Sequence, residues 1–175
     1  TDLMDGTVTI ESEPGEGTAV QLRFHFRQTG KEEIQKKREA ENTEDDLSGL
    51  HVLLVEDNEL NMEIAAAMLK EKGASVTWAS DGQQAVDRFR ESPAGTYDII
   101  LMDVMMPVMN GLMATKQIRA MERPDAASIP IFAMTANAFT EDIEKSREAG
   151  VNEHLSKPLD YGKLARMIYG YVKKK

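Results

Sequence analysis

The sequence contains no cysteine, which excludes disulfide bonds and thiolate metal sites. It lacks any apolar run as long as a membrane span, and its first residues do not have the pattern of a signal peptide. Basic residues number 21 against 30 acidic ones, and no basic stripe offsets the formal net charge of −9. We therefore expect neither nucleic acid nor a membrane as a direct partner, and we expect a cytoplasmic location.

Three regions follow one another along the 175 residues. Residues 1–27 alternate apolar and polar side chains around a Glu-Pro-Gly-Glu-Gly turn, which predicts a β-hairpin. Residues 28–49 are polar and acidic with few large apolar side chains, which is typical of a linker. Residues 50–175 are numerous enough for one complete domain, and they carry a repeated strand–helix pattern.

The third region alternates apolar strands with single helices five times over. The predicted strands are His51–Val55, Ser75–Ala79, Tyr97–Met102, Ile129–Met134 and Glu153–Leu155. The predicted helices lie near residues 59–72, 82–92, 111–122, 139–149 and 160–173. This alternation is typical of right-handed βαβ units, so we expect an α/β fold with a parallel sheet. Such sheets place their sites beyond the carboxyl ends of the strands.

Chemically active side chains follow four of the five predicted strands. They are Glu56 and Asp57 after the first strand, Asp103 after the third, Thr135 after the fourth and Lys157 after the fifth. Clustered carboxylates repel one another unless a proton or a cation joins them, and Mg²⁺ with oxygen ligands suits phosphate chemistry. A carboxylate can act as the nucleophile, while an ammonium and a hydroxyl can bind the phosphate. The pattern therefore predicts magnesium-assisted phosphoryl transfer.

Each of these residues also has an ordinary structural interpretation. Asp57 alone could be a helix cap, and Thr135 alone could be a turn residue. Their joint occurrence at the strand ends is the observation that favours a functional site.

Four stretches resemble the receiver domain of bacterial-type response regulators. They are residues 52–58 (VLLVEDN), 98–111 (DIILMDVMMPVMNG), 130–138 (PIFAMTANA) and 154–158 (HLSKP). The resemblance covers roughly residues 50–172 and implies a doubly wound, flavodoxin-like sheet of five parallel strands in the order 2-1-3-4-5. One departure is Asn110-Gly111, where the family usually has Asp-Gly, although both pairs suit a turn or a helix cap.

The resemblance implies a role for each side chain that would meet the phosphoryl group. Asp103 would be the phosphoacceptor, and Lys157 and Thr135 would hold the phosphate. Thr135 and His154 would be the switch positions, with His154 standing where the family often has Tyr or Phe. The bond between Lys157 and Pro158 would be cis, as is common in the family.

The resemblance also implies a set of ligands for Mg²⁺. Asp57 and Asp103 would bind the ion through their carboxylates, and Met105 would bind it through its backbone carbonyl. Glu56 would act largely through a metal-bound water.

Residues 4–18 (MDGTVTIESEPGEGT) resemble the last hairpin of a histidine-kinase ATP-binding domain. Together with the receiver, this implies a hybrid sensor histidine kinase cut inside its catalytic domain. The phosphorylatable histidine helix, the nucleotide-binding asparagine and the Gly-rich lid are not in this sequence, so we expect neither ATP binding nor kinase activity from it. An unrelated Gly-rich hairpin is the alternative.

The leading functional hypothesis is a phosphoacceptor domain of a two-component phosphorelay. Asp103 would receive the phosphoryl group from a phosphohistidine of the kinase dimerisation domain. It would then pass the group to a histidine-phosphotransfer protein or lose it to water, changing the surface around the fourth helix, fifth strand and fifth helix. No nucleic acid would take part.

Two other function classes stay open at this point. A phosphatase of the haloacid-dehalogenase type also uses a strand-end Asp and Mg²⁺, but it needs a second Asp two residues later, where this sequence has Met105. A protein-interaction module that is not phosphorylated is the third hypothesis. It does not explain why the sequence has all the side chains that phosphoryl transfer needs.

Overall fold

The structure is a computed structural model that describes residues 6–13, 17–24, 46–136 and 140–172. The chain divides into two units between residues 39 and 40, and each unit is considered by itself. The predicted linker lies outside the described residues over positions 28–45. Within the described ranges, no helix has the length and apolar character needed to cross a membrane.

The first unit contains an antiparallel hairpin formed by β1 (Gly6–Glu13) and β2 (Gly17–Phe24). Its apolar side chains meet across the strands, as in the pair Ile10 and Val20, and both of these side chains are exposed. Gly17 has a φ of 112°, a value that favours glycine, where the chain re-enters the second strand. The alternating pattern at the start of the sequence thus forms the hairpin that it predicts.

The second unit alternates strands with helices from β3 onward. Its strands are β3 (His51–Val55), β4 (Ser75–Ala79), β5 (Ile99–Asp103), β6 (Ile131–Thr135) and β7 (Glu153–Ser156). Its helices are α1 (Glu59–Glu71), α2 (Gly82–Glu91), α3 (Gly111–Arg119), α4 (Thr140–Ala149) and α5 (Tyr161–Val172). The strands form one parallel sheet in the order β4-β3-β5-β6-β7, which confirms the predicted doubly wound fold.

The central strands β3, β5 and β6 are buried on both faces, because successive side chains point to opposite sides and an apolar cluster lies on each side. Leu54 of β3 lies in the cluster that includes Ile168 of α5, and α1 packs on this same face. Leu53 lies in the opposite cluster with Phe89 of α2, which α3 also joins. The two apolar layers cover the central strands and leave their carboxyl ends for the site.

The core of this unit begins before β3. Leu47, which falls within the predicted linker, is completely buried, and its N–H donates to the carbonyl of Lys72 at 2.8 Å. Leu50 is buried beside it, and its carbonyl accepts from the N–H of Ser75. The segment before the sheet is thereby anchored to the end of α1 and the start of β4.

Two central strands end one residue later than the sequence pattern predicts. Asp103 is the last residue of β5 and pairs with Met134, while Thr135 is the last residue of β6 and pairs with Ser156. Hydrogen bonds to the neighbouring strand extend each strand past its apolar run, so these polar side chains are held by the sheet itself.

Candidate functional site

The carboxyl edge of the sheet brings together an acidic cluster, defined here as Glu56, Asp57 and Asp103. Each residue offers an oxygen, and these oxygens lie within 4.8 Å of one another. Glu56 and Asp103 are buried, with 3 % and 5 % of their surface exposed, whereas Asp57 is exposed. Three carboxylates so close together repel one another and favour a bound cation.

Burial is the main influence on the Asp103 carboxyl group. It raises the pKa of Asp103 above its ordinary 3.8, and the neighbouring charge of Glu56 acts in the same direction. Hydrogen bonds from Lys157 and from the N–H of Met105, together with the Lys157 charge, oppose the increase without cancelling it.

Lys157 joins the two buried members of the acidic cluster. Its Nζ donates to Glu56 Oε2 and to Asp103 Oδ2, both at 2.6 Å. Burial lowers the pKa of Lys157, but the hydrogen bonds and charges of the two carboxylates outweigh burial, so the pKa is raised above 10.5. The lysine therefore stays charged, and it counters part of the negative charge of the cluster.

Strand β6 fixes the loop that carries this lysine. The N–H of Lys157 donates to the carbonyl of Thr135 at 2.8 Å, and the peptide bond from Lys157 to Pro158 is cis, as the family resemblance implied. Thr135 itself is buried, with 9 % of its surface exposed, at the end of its strand. The predicted phosphate-binding side chains thus lie at the same sheet edge as Asp103.

The loop from β5 to α3 folds back on the acidic cluster. The N–H of Met105 donates to Asp103 Oδ1 at 3.1 Å, and the Met105 side chain is 75 % exposed. The N–H of Gly111 donates to the carbonyl of Val104 at 3.0 Å, which closes the loop. Asn110 caps the helix that follows by accepting from the N–H of Met113 at 2.9 Å.

Gly111 is required where this loop closes against the strand. A Cβ there would lie 2.1 Å from the carbonyl oxygen of Asp103 and 2.8 Å from Cγ of Met102. We expect Gly111→Ala to lower the free energy of unfolding by about 3 kcal/mol, because the backbone of Asp103 and the side chain of Met102 must both shift. Urea denaturation measures this change.

Gly170 provides the matched control for that substitution. It lies within α5, and a Cβ there would meet nothing within 4 Å. Gly170→Ala is expected to raise the free energy of unfolding by about 0.5 kcal/mol or more, because alanine favours a helix. Equal losses in both variants would contradict the close approach at Gly111.

His154 lies in β7, opposite Ala133, and two residues before the Ser156 that pairs with Thr135. Within the described residues, its buried Nε2 has no hydrogen-bond partner. Burial lowers the pKa of His154, the charge of Arg147 acts in the same direction, and Glu153 partly opposes them. The structure therefore places a half-buried imidazole on the strand next to β6, and its switch role stays a prediction.

Two residues that the sequence analysis missed hold Glu56 in place. Asn61 donates from its side-chain amide to Glu56 Oε1 at 3.0 Å, and Trp78 donates from its indole to the Glu56 carbonyl at 2.8 Å. Asn61 could have been found from its position in the first helical turn after Glu56-Asp57. Trp78 comes from the neighbouring strand, and no local pattern reveals that contact.

Such an arrangement, a doubly wound sheet with acids and a lysine at its carboxyl edge, is the architecture of domains that handle phosphoryl groups. The family model described as "Response regulator receiver domain" matches residues 52–169. The chain therefore belongs to the response regulator receiver domain family of two-component phosphorelay signalling.

Individual proteins with similar sequences or structures agree with this family. The aerobic respiration control sensor protein ArcB of Escherichia coli K12 is 36 % identical over 168 residues, which cover 94 % of this chain and 20 % of ArcB. The chain thus spans only a fifth of the length of that relative.

Two solved receiver structures are similar to this chain. The receiver domain of sensor histidine kinase PA1611 from Pseudomonas aeruginosa PAO1 is 40 % identical to this chain, with a TM-score of 0.65. The match covers 72 % of this chain and 99 % of the PA1611 receiver. The PA1611 structure has a magnesium ion coordinated in the active-site cleft. The receiver domain of Saccharomyces cerevisiae Ssk1, solved with the histidine phosphotransfer protein Ypd1, is 33 % identical, with a TM-score of 0.64. That match covers 71 % of this chain and 89 % of the Ssk1 chain. These matches favour the receiver hypothesis over the phosphatase and the unphosphorylated interaction module.

Proposed function

We propose that Asp103 is the phosphoacceptor of this receiver domain and takes its phosphoryl group from a phosphohistidine. The observation that carries the proposal is the position of the Asp103 carboxylate, which lies within 4.8 Å of the carboxylates of Glu56 and Asp57 and 2.6 Å from Nζ of Lys157. A carboxylate placed in this way has both a candidate cation site and a fixed ammonium beside it. These are the two positive charges that an incoming phosphoryl group requires.

In the proposed transfer, one bond to phosphorus breaks as another forms. The phosphorus–nitrogen bond of the phosphohistidine breaks while an Asp103 carboxylate oxygen forms a bond to phosphorus. The imidazole nitrogen keeps the electron pair and takes up a proton. Onward transfer to a histidine-phosphotransfer protein reverses these changes, and attack by water releases inorganic phosphate and restores the carboxylate.

Mg²⁺ is the proposed cofactor, and the residues of the acidic cluster fit it. Asp57 and Asp103 would bind the ion, Glu56 would act through a water, and the Met105 carbonyl would complete the protein ligands. The bound ion supplies charge neutralisation for the phosphoryl group. The magnesium ion in the PA1611 receiver supports this assignment.

Lys157 and Thr135 are the proposed phosphate ligands. The Lys157 ammonium that bridges Glu56 and Asp103 is within hydrogen-bond distance of an Asp103 carboxylate oxygen. It can therefore form an ion pair with a phosphate attached there. Thr135 lies at the end of the adjacent strand, where its hydroxyl can donate to a phosphate oxygen. Movement of Thr135 and His154 would then alter the surface formed by α4, β7 and α5.

The proposed partners are a histidine-kinase dimerisation domain as donor and a histidine-phosphotransfer protein as acceptor. The complex of the Ssk1 receiver with Ypd1 supports the second partner. In the second unit, the exposed large apolar side chains of the described residues lie on α1 or between β5 and the start of α3, the elements that flank Asp103. They are Leu60, Ile64, Met68, Met105, Val108 and Met113. We propose that the partner contacts this part of the surface in a cytoplasmic complex.

The parent protein is proposed to be a hybrid histidine kinase, with residues 1–27 as the end of its ATP-binding domain. The hairpin of β1 and β2 has the form that this origin requires. The match to ArcB supports it as well, since 94 % of the chain aligns and the alignment is therefore longer than the receiver match.

Phosphorylation with a small donor tests the proposal without a partner protein. Incubation with phosphoramidate and Mg²⁺ is expected to increase the intact mass by about 80 Da, with the modification mapped to the peptide that contains Asp103. Removal of Mg²⁺ with a chelator is expected to prevent the increase. Repeated hydrolysis of phosphate monoesters would support the phosphatase instead, and a chain that acquires no phosphate would support the interaction module.

A further inference from the structure

We infer that Asn61 is a positioning residue for the magnesium site, because it fixes the buried carboxylate of Glu56 without neutralising it. The inference rests on the proposed Mg²⁺ site and concerns a residue outside the predicted ligands. Glu56 is held at four atoms: β4 bonds to its backbone, and two other parts of the chain bond to its carboxylate oxygens.

The backbone of Glu56 is fixed by the last two residues of β4. Its N–H donates to the carbonyl of Ala79 at 3.1 Å, and its carbonyl accepts from Nε1 of Trp78 at 2.8 Å. These bonds fix the position of the Glu56 backbone. The direction of the carboxylate depends on the hydrogen bonds that its two oxygens accept.

The two oxygens of Glu56 have different donors. Oε2 accepts from Nζ of Lys157 at 2.6 Å, and Oε1 accepts from Nδ2 of Asn61 at 3.0 Å. Lys157 is shared with Asp103, and the proposed reaction draws this ammonium toward the new phosphate. Asn61 then supplies the bond that continues to hold Glu56 during the transfer.

The first turn of α1 directs the Asn61 side chain toward the site. Asn58 caps the helix by accepting from the N–H of Asn61 at 3.0 Å, and the carbonyl of Asn58 accepts from Met62 at 2.9 Å. These cap bonds hold the backbone of residue 61, and its amide reaches back to the carboxylate five residues earlier. Substitution of the side chain leaves the cap bonds available.

A neutral donor suits this position on electrostatic grounds. An amide donates one hydrogen bond and leaves the charge of Glu56 available to a divalent cation. A lysine in its place would set a second ammonium against the cluster and compete with the metal, whereas an aspartate would repel Glu56. Partners that orient a metal-binding carboxylate commonly change metal affinity about 10-fold when removed.

Magnesium affinity tests this role without any measurement of activity. Trp78 is the single tryptophan, and its indole N–H bonds to Glu56, so its NMR signal reports a Mg²⁺ titration of the full chain. Asn61→Ala is expected to raise the Mg²⁺ dissociation constant about 10-fold, and Asn61→Lys more than that. Asn61→Gln, which keeps the amide, is expected to restore part of the affinity.

Gln83→Ala is the matched control, because it removes another bond from a helical amide to a carboxylate. Gln83 Nε2 donates at 3.0 Å to Asp87 of α2, a carboxylate that is not a member of the acidic cluster, and its loss is expected to leave Mg²⁺ affinity unchanged. An unchanged dissociation constant in both Asn61→Ala and Asn61→Lys would overturn the inference. Asp57→Asn separates the two proposals: if it alone weakens Mg²⁺ binding, the magnesium site stands and the role of Asn61 falls.

Discussion

Asp103→Asn is expected to abolish phosphate incorporation from phosphoramidate and, in the absence of Mg²⁺, to make the domain more stable at neutral pH. The asparagine lacks the anionic oxygen that attacks phosphorus, so the mass increase of about 80 Da should disappear. The stability gain has a separate cause. Asp103 is buried beside Glu56, and its ionised form is therefore disfavoured in the folded state.

The pH dependence of that gain follows from the direction of the pKa change. The folded-state pKa of Asp103 is raised above 3.8, so the unfolded chain releases this proton first as the pH increases. Stability linked to Asp103 is thus complete below pH 3.8 and is lost as the pH rises through the folded-state pKa. Asparagine does not titrate, so the advantage of the variant should grow over that interval and then stay constant.

Thermal unfolding in chelator across this pH range measures the effect. Asp87→Asn is the control, because Asp87 lies on α2 outside the acidic cluster, is partly exposed and bonds to Gln83 and Arg90. This control is expected to be phosphorylated normally and to gain no stability. Phosphate incorporation by Asp103→Asn would contradict the assignment of the acceptor, and a stability difference that does not vary with pH would contradict its electrostatic origin.

Lys157→Met is expected to slow phosphorylation by phosphoramidate about 100-fold, as loss of a fixed donor to a developing charge commonly does. Methionine has a similar length and carries no charge, so Glu56 and Asp103 lose the ammonium that they share at 2.6 Å. The pKa of Asp103 should rise further, since the hydrogen bond and charge of Lys157 oppose its increase. The Mg²⁺-free domain should also become less stable.

Added Mg²⁺ distinguishes this explanation from simple misfolding. A divalent cation replaces part of the missing positive charge, so it is expected to stabilise Lys157→Met more than the unaltered chain. The rate of phosphorylation is followed by intact mass, and stability by thermal unfolding. Lys163→Met, an exposed lysine of α5, is the control and should match the unaltered chain in both measurements. An unaltered rate in Lys157→Met would contradict its phosphate-binding role.

Local patterns in the sequence were sufficient to predict the elements of the second unit. β3 and β4 have the predicted bounds, since β3 is an apolar run and β4 has Val76, Trp78 and Ala79 among its five residues. α1 and α3 begin after Asn58 and Asn110, whose side chains accept from the first-turn amides of their helices. Helix starts of this kind depend on residues three positions apart, so they can be read locally.

The ends of β5 and β6 could not be predicted to the residue. Asp103 and Thr135 are polar, so hydropathy alone ends both strands before them. Pairing with Met134 and Ser156 includes both residues in the sheet. Such pairing depends on a neighbouring strand, and hydropathy along a single strand carries no information about it.

By itself, the sequence determined the order of strands and helices and the reactive residue that follows or ends each central strand. The alternation of apolar runs implied a parallel sheet, and a parallel sheet gathers its carboxyl ends at one edge. It thereby determined that Glu56, Asp57, Asp103 and Lys157 would be neighbours.

Only the tertiary structure decided which atoms of those neighbours meet. Nζ of Lys157 donates to one oxygen of Glu56, which is 101 residues away, and to one oxygen of Asp103, which is 54 residues away. The side-chain amide of Asn61 donates to the other oxygen of Glu56. Contacts of this kind depend on side-chain direction, helix placement and burial, which are set when the two apolar layers pack on the sheet and not by the order of residues along it.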